Sequence, residues 1–198
     1  MKPLFIVFES ADGVGTTTQV SKLATYLFEK KFHVVKTREP SYIFPQGLEI
    51  RKRLFSGELD KEDMLRLYTE DRKENTEKVI KPALSNNLSV ICDRYKYSTI
   101  AYQTAQGVPL ERTIESQKQF LSPDIVFIFS LHHDIAQERI KHKEKDEFEK
   151  DIEFQKRLSA IFNKMPELFP NENIVFIDAS KKIDEIFEDI KKEVDKLI

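Results

Sequence analysis

Several polar clusters interrupt the apolar runs of this 198-residue chain, and each carries side chains suited to phosphate. The first follows Leu4-Phe5-Ile6-Val7-Phe8 and reads Glu9-Ser10-Ala11-Asp12-Gly13-Val14-Gly15-Thr16-Thr17-Thr18. A glycine loop between a strand and a helix can ring a phosphate with backbone N–H groups, and the helix N-terminus adds a positive dipole end. The phosphate-loop pattern is G-x-x-x-x-G-K-[ST]. Here Ser10 stands at the first glycine and Thr16 at the lysine, while Thr17 keeps the hydroxyl that holds Mg²⁺ and Asp12 falls beside the phosphates. The plainer reading is that Gly13 and Gly15 only turn the chain into a helix.

Thr37-Arg38-Glu39-Pro40 puts an arginine at a second strand end, where two parallel hydrogen bonds can hold a phosphate. Pro40 stiffens the exit and biases Glu39 to an extended shape; a solvated loop arginine is the alternative. Asp93-Arg94-Tyr95 ends a third run and is followed by Ser98 and Ala101-Tyr102-Gln103. An aspartate closing a buried strand is costly unless it meets a metal, water or a cation. It suits Mg²⁺ or its waters, with Arg94 free to reach a phosphate and Tyr102 and Gln103 a sugar or base; a capping Asp–Arg ion pair is the alternative. Tyr68 and Arg72 lie four apart and share a helix face, a ring and a donor suited to a planar base, or else a half-buried tyrosine beside a surface arginine. The charged stretch 138–149 reads either as a mobile lid over phosphates or as a solvated helix end.

Five short apolar runs rich in Val, Ile and Phe position these clusters: residues 4–8, 33–37, 88–92, 125–130 and 174–178. Helical patterns lie between them at 17–30, 61–85, 110–121, 134–144, 152–164 and 183–198. Alternating strands and helices predict an α/β fold, a doubly wound parallel sheet flanked by helices. Ligands of such sheets bind at the strands' carboxyl ends, where the polar clusters fall.

The chain has the length of one domain, and its 40% hydrophobic and 33% charged residues are those of a globular protein. Its net charge of −2 offers no basic field to recruit nucleic acid. One cysteine, Cys92, excludes an internal disulfide and a Cys-rich zinc site. No apolar run reaches the roughly 18 residues of a membrane helix. The start of the chain enters strand pattern at once and is expected to carry no cleavable signal, so the expected location is cytoplasmic.

Taken in order, these segments resemble the thymidylate kinase family of P-loop nucleoside monophosphate kinases. The most specific pieces are Phe8-Glu9-Ser10-Ala11-Asp12-Gly13-Val14-Gly15, Thr37-Arg38-Glu39-Pro40, and Asp93-Arg94-Tyr95 with Ser98 and Ala101-Tyr102-Gln103. Gly47-Leu48-Glu49-Ile50-Arg51, Asp71-Arg72, Lys81-Pro82-Ala83-Leu84 and Pro123-Asp124 support them. The resemblance implies transfer of the γ-phosphate of ATP to dTMP, with Mg²⁺ and the strand order 2-3-1-4-5. It implies a single kinase domain over residues 1–198, a lid at about 141–150, and a homodimer. Ser10 to Thr18 would hold ATP, and Thr17 and Asp93 the metal. Asp12, Arg38, Asp93 and Arg94 would form the catalytic set. Arg38 and Arg94 would clamp the dTMP phosphate. Tyr68 would stack on thymine and Arg72 would donate to its carbonyl. Ser98, Tyr102 and Gln103 would complete the nucleoside site, with Glu9 joining the metal-water network.

The departures from the family pattern fall on the donor side. Besides Ser10 and Thr16, the lid motif reads Asp146-Glu147-Phe148-Glu149, with Glu147 in place of an arginine. Lys141, Lys143, Lys145 and Arg139 are nearby cations that could stand in. Two alternatives are therefore carried: a nucleotide-binding protein that retains the dTMP site without efficient transfer, and a kinase for another pyrimidine monophosphate.

Overall fold

The computed structural model describes residues 2–11, 15–58, 60–130 and 151–198. Its strands are β1 (Phe5–Ser10), β2 (Val34–Arg38), β3 (Ser89–Asp93), β4 (Ile125–Ser130) and β5 (Ile174–Asp178). They form one five-stranded sheet in the order β2-β3-β1-β4-β5, and every neighbouring pair is parallel. This is the expected doubly wound arrangement and strand order. β1 is buried along its whole length, so an unbroken apolar run is what its position demands. Its residues alternate between two cores: Phe5 and Val7 pack on one face of the sheet, Leu4, Ile6 and Phe8 on the other.

The helices are α1 (Thr16–Glu29), α2 (Pro45–Ser56), α3 (Lys61–Asn75), α4 (Lys81–Ser85), α5 (Lys96–Ala105), α6 (Leu110–Gln117), α7 (Ile152–Asn163), α8 (Met165–Leu168) and α9 (Ile183–Val194). The helix expected over 61–85 is one continuous rod with a π turn at Thr76–Ile80. The wide turn comes immediately before Pro82, whose ring crowds the carbonyl four residues back and whose nitrogen cannot donate. The pattern over 134–144 lies outside the described residues, as does the proposed lid.

Two longer helices, α2 and α5, escaped the sequence reading, as did the single turn of α8. α2 begins with Pro45 in its first turn and ends at Gly57, which has a φ of 75°, so its punctuation follows the usual asymmetry of helix ends. Its exposed Leu48 and Phe55 hide the amphipathic period. α5 is buried on several sides, including at Lys96, Tyr97, Thr99, Ile100, Ala101 and Gln103, so no single apolar stripe marks it.

Strand register brings the site together. Phe8 and Arg38 both pair with Asp93, so the carboxyl ends of β1, β3 and β2 lie side by side. The chain reverses its direction of travel across the sheet here, the place where open α/β sheets hold ligands.

Candidate active site

At the foot of α1, Gly15 takes a φ of 85°, a left-handed turn that glycine makes without Cβ strain. The helix then presents two hydroxyls to one carboxylate. Thr16 Oγ1 donates to Asp93 Oδ1 at 3.2 Å and Thr17 Oγ1 to Asp93 Oδ2 at 3.3 Å. Arg38 Nη2 stands 3.8 Å from the same Oδ2. Buried Asp93 is thus met by two hydroxyls and a cation, which offset its desolvation. The arginine beside it is Arg38, from the neighbouring strand. Hydroxyl and carboxylate oxygens are hard ligands of the kind Mg²⁺ accepts, one or two at a time, beside phosphate and water. Among the described residues no cluster of three or more His, Cys, Asp or Glu forms a fuller metal cage. Of the loop residues, Ser10 ends β1, Ala11 packs partly against the core and Thr18 is exposed on α1. Asp12, Gly13 and Val14 lie outside the described residues.

Beside this corner is a cavity of about 160 Å³ bordered by Arg38, Arg51, Arg94, Tyr68, Ser98 and Tyr102, with Arg72 in its wall. Four arginines line so small a space, and the three not paired with buried Glu39 (Arg38, Arg51 and Arg94) suit an anion. Arg94 has a φ of 70°, rare for a residue with a Cβ, and its backbone N–H donates to Phe8 O at 2.8 Å. From there its Nη1 donates to Ser10 O at 2.7 Å, Ser98 Oγ at 3.3 Å and Tyr102 OH at 3.5 Å. Arg94 therefore ties the end of β1 to α5 while facing the cavity.

Arg51 was not singled out from the sequence as a site residue. Its guanidinium lies 3.6 Å from the Tyr42 ring centroid, Nε donates to Ser41 O at 3.4 Å, and Nη2 donates to Pro40 O. Gly47 lets α2 come this close: a Cβ there would meet the Ser41 carbonyl and sit 2.7 Å from Asp71 Oδ1. Asp71 in turn accepts from Ser41 N at 2.9 Å and Ser41 Oγ at 2.6 Å, holding the loop after β2. The segment Gly47–Arg51 supported the resemblance, but with α2 unrecognised no role was assigned to Arg51.

Tyr68 and Arg72, four apart on α3, both line the cavity. Arg72 is not a surface residue: it is 1% exposed and its partner Glu39 is 2% exposed. Nε and Nη2 reach Glu39 Oε2 at 2.7 and 2.6 Å, and Nη1 donates to Gln117 Oε1. Glu39 also accepts from Asn75 Nδ2 at 3.0 Å, and Asn75 Oδ1 accepts from Thr37 Oγ1 at 2.8 Å. Glu39, quoted within the second motif without a role of its own, and Gln117, not singled out from the sequence, hold the arginine in place.

Two of the expected site residues stand away from the cavity lining. Gln103 is not among the residues lining the cavity; it is fully buried, and its carboxamide oxygen and nitrogen have no hydrogen-bond partner among the described residues. One residue beyond Tyr102 on a helix lies about 100° further round, and here that turn faces the interior. Glu9 is not among the cavity's lining residues either. Its Oε1 accepts from Tyr95 N at 2.9 Å and Ser98 N at 3.2 Å, and Oε2 from Ser98 Oγ. A carboxylate on the central strand thus caps the N-terminus of α5. Burial pushes it up to about 7, against the pull of the Ser98 hydrogen bond and Arg94.

The thymidylate kinase family model matches residues 8–190. The thymidylate kinase of Fervidobacterium nodosum is 37% identical over 194 residues, covering 96% of this chain and 97% of its own length. The probable thymidylate kinase of Thermococcus kodakarensis is 34% identical, covering 98% of each chain. That of Caldicellulosiruptor saccharolyticus, named thymidylate kinase, is 34% identical and covers the whole of this chain and 98% of its own. These relatives lend no support to a reading without phosphoryl transfer. Matched over nearly its whole length, the chain belongs to the thymidylate kinase family of phosphotransferases.

Proposed function

We propose that this chain transfers the γ-phosphate of ATP to dTMP, giving dTDP. The observation that carries the reading is the shared boundary at Asp93. Thr17 meets it from the phosphate-loop side, and Arg38, which borders the arginine-lined cavity, approaches it from the other. Donor and acceptor phosphates held on either side would lie close and oriented, which is most of what phosphoryl transfer needs. Arg38 and Arg94, with Arg51 behind them, neutralise the acceptor phosphate. Tyr68 offers its ring to the base, and the N–H groups of Arg72 not taken by Glu39 and Gln117 can meet a carbonyl. Ser98 and Tyr102 border the sugar. Mg²⁺, held by Thr17 and Asp93, would neutralise charge on the donor phosphates. Ser10 to Thr18, including Asp12, form the donor loop. A single kinase domain with its lid near 141–150, a homodimer and a cytoplasmic location belong to the same proposal, carried by the resemblance.

A coupled assay of ADP release tests it, with ATP·Mg²⁺ and dTMP, dUMP, UMP or CMP as acceptor. The expected outcome is turnover highest on dTMP. Background turnover while dTMP still raises the melting temperature would return the non-transferring alternative, and faster turnover on another monophosphate would reassign the acceptor.

A further inference from the structure

Thr16 leaves the phosphate loop without its lysine, yet a second lysine faces the same corner. Lys36 lies on β2 two residues before Arg38, and strand alternation puts both side chains on one face. Val34, on that same face, packs into the core that includes Val20, Leu23 and Leu27 of α1. Lys36 borders a cavity of about 310 Å³ together with Thr17, Ser21, Arg38 and Asp93. It is absent from the lining of the arginine cavity, so it stands on the donor side of Arg38. Two residues of strand cover roughly 6.6 Å, and the four-carbon stem of a lysine spans a similar distance. Its ammonium can therefore reach the level at which β2 ends and α1 begins. It is exposed and has no ion pair or hydrogen bond among the described residues. Arg38, between the two cavities, also has a buried Nε without a partner among the described residues.

We propose that Lys36 supplies from β2 the cation that position 16 lacks, meeting the polyphosphate of a nucleoside triphosphate beside Thr17. The proposal rests on the phosphoryl-transfer reading. In such a transfer, charge moves onto the leaving and transferred oxygens, and a fixed ammonium stabilises it.

The test compares the unsubstituted chain with Lys36→Met, Lys36→Arg and Lys36→Met/Thr16→Lys. Turnover is measured with ATP and dTMP, and calorimetry measures binding of the non-hydrolysable triphosphate AMPPNP with Mg²⁺ and of AMP. Lys36→Met is expected to lower kcat about 10²-fold, the usual effect of removing one transition-state donor. Lys36→Arg should retain most activity, and Thr16→Lys should restore it in the Met background. AMPPNP should bind more weakly to Lys36→Met while AMP is unaffected, a distinction that general damage would not make. If kcat and AMPPNP affinity of Lys36→Met both stay within twofold, the proposal is overturned. If the unsubstituted chain turns over no dTMP, the kinase reading fails by itself, and the AMPPNP/AMP comparison still decides Lys36.

Discussion

Replacing Glu9 by Gln should flatten the dependence of stability on pH in neutral solution. Glu9 is fully buried, and its carboxyl is raised from 4.5 to about 7, chiefly by desolvation. In the unfolded chain it ionises freely near its ordinary value. Below about pH 4.5 it is protonated in both states and burial costs little. As pH rises through the interval to 7, the unfolded chain gives up its proton first, so the unfolded state is favoured. A shift of about 2.5 units at 1.36 kcal/mol each amounts to roughly 3 kcal/mol, nearly all of it lost by pH 7.5. The glutamine of the variant has no proton to lose, and its amide oxygen can still accept from Tyr95 N and Ser98 N. The assay is urea denaturation of both proteins at intervals from pH 4.5 to 7.5. Glu39 and Asp71 are also raised by burial, but they are common to both chains and cancel in the difference. The unsubstituted protein should lose about 3 kcal/mol relative to Glu9→Gln across that range. A difference that stays flat would show that Glu9 ionises as easily in the folded protein as outside it, and the desolvation argument would fail.

Arg72→Met should cost about 3–5 kcal/mol in a denaturation experiment, because it leaves the Glu39 carboxylate buried with Asn75 as its remaining side-chain donor. Adding Glu39→Gln should recover part of that loss, while dTMP affinity stays low in both variants. Gly47→Ala should destabilise by about 1–3 kcal/mol, since neither the Ser41 carbonyl nor the bonded Asp71 carboxylate can withdraw from the new Cβ. It should also raise KM for dTMP, because α2 carries Arg51; an unchanged Tm and KM would mean that α2 can shift without disturbing the cavity.

Much of the fold was legible because parallel strands buried on both faces must be apolar throughout, so the residue where each run stops marks the sheet edge. Glu9-Ser10, Arg38 and Asp93 appear there, and the register sets them side by side. The boundaries of β2 and β3 lie one residue later than the apolar pattern suggests, since Arg38 and Asp93 still make ladder bonds. α2 and α5 were not legible, one because it exposes apolar residues and the other because it buries polar ones. In both, tertiary surroundings overrode the amphipathic period.

Sequence alone determined the alternation of strand and helix, the glycine turn into α1, and the missing lysine at Thr16. Each of these is a local matter of residue type, period and spacing. Only the tertiary structure decided the partners. Tyr95 finds Glu9 across 86 positions, Arg72 finds Glu39 across 33 and Gln117 across 45. The physical reason is that burial makes an unpaired charge or donor expensive, while the chain's path determines which group is near enough to satisfy it. Thr16 shows both halves: its identity removes a cation from the loop, and the neighbouring strands decide that its hydroxyl meets Asp93 and that Lys36 faces the same corner.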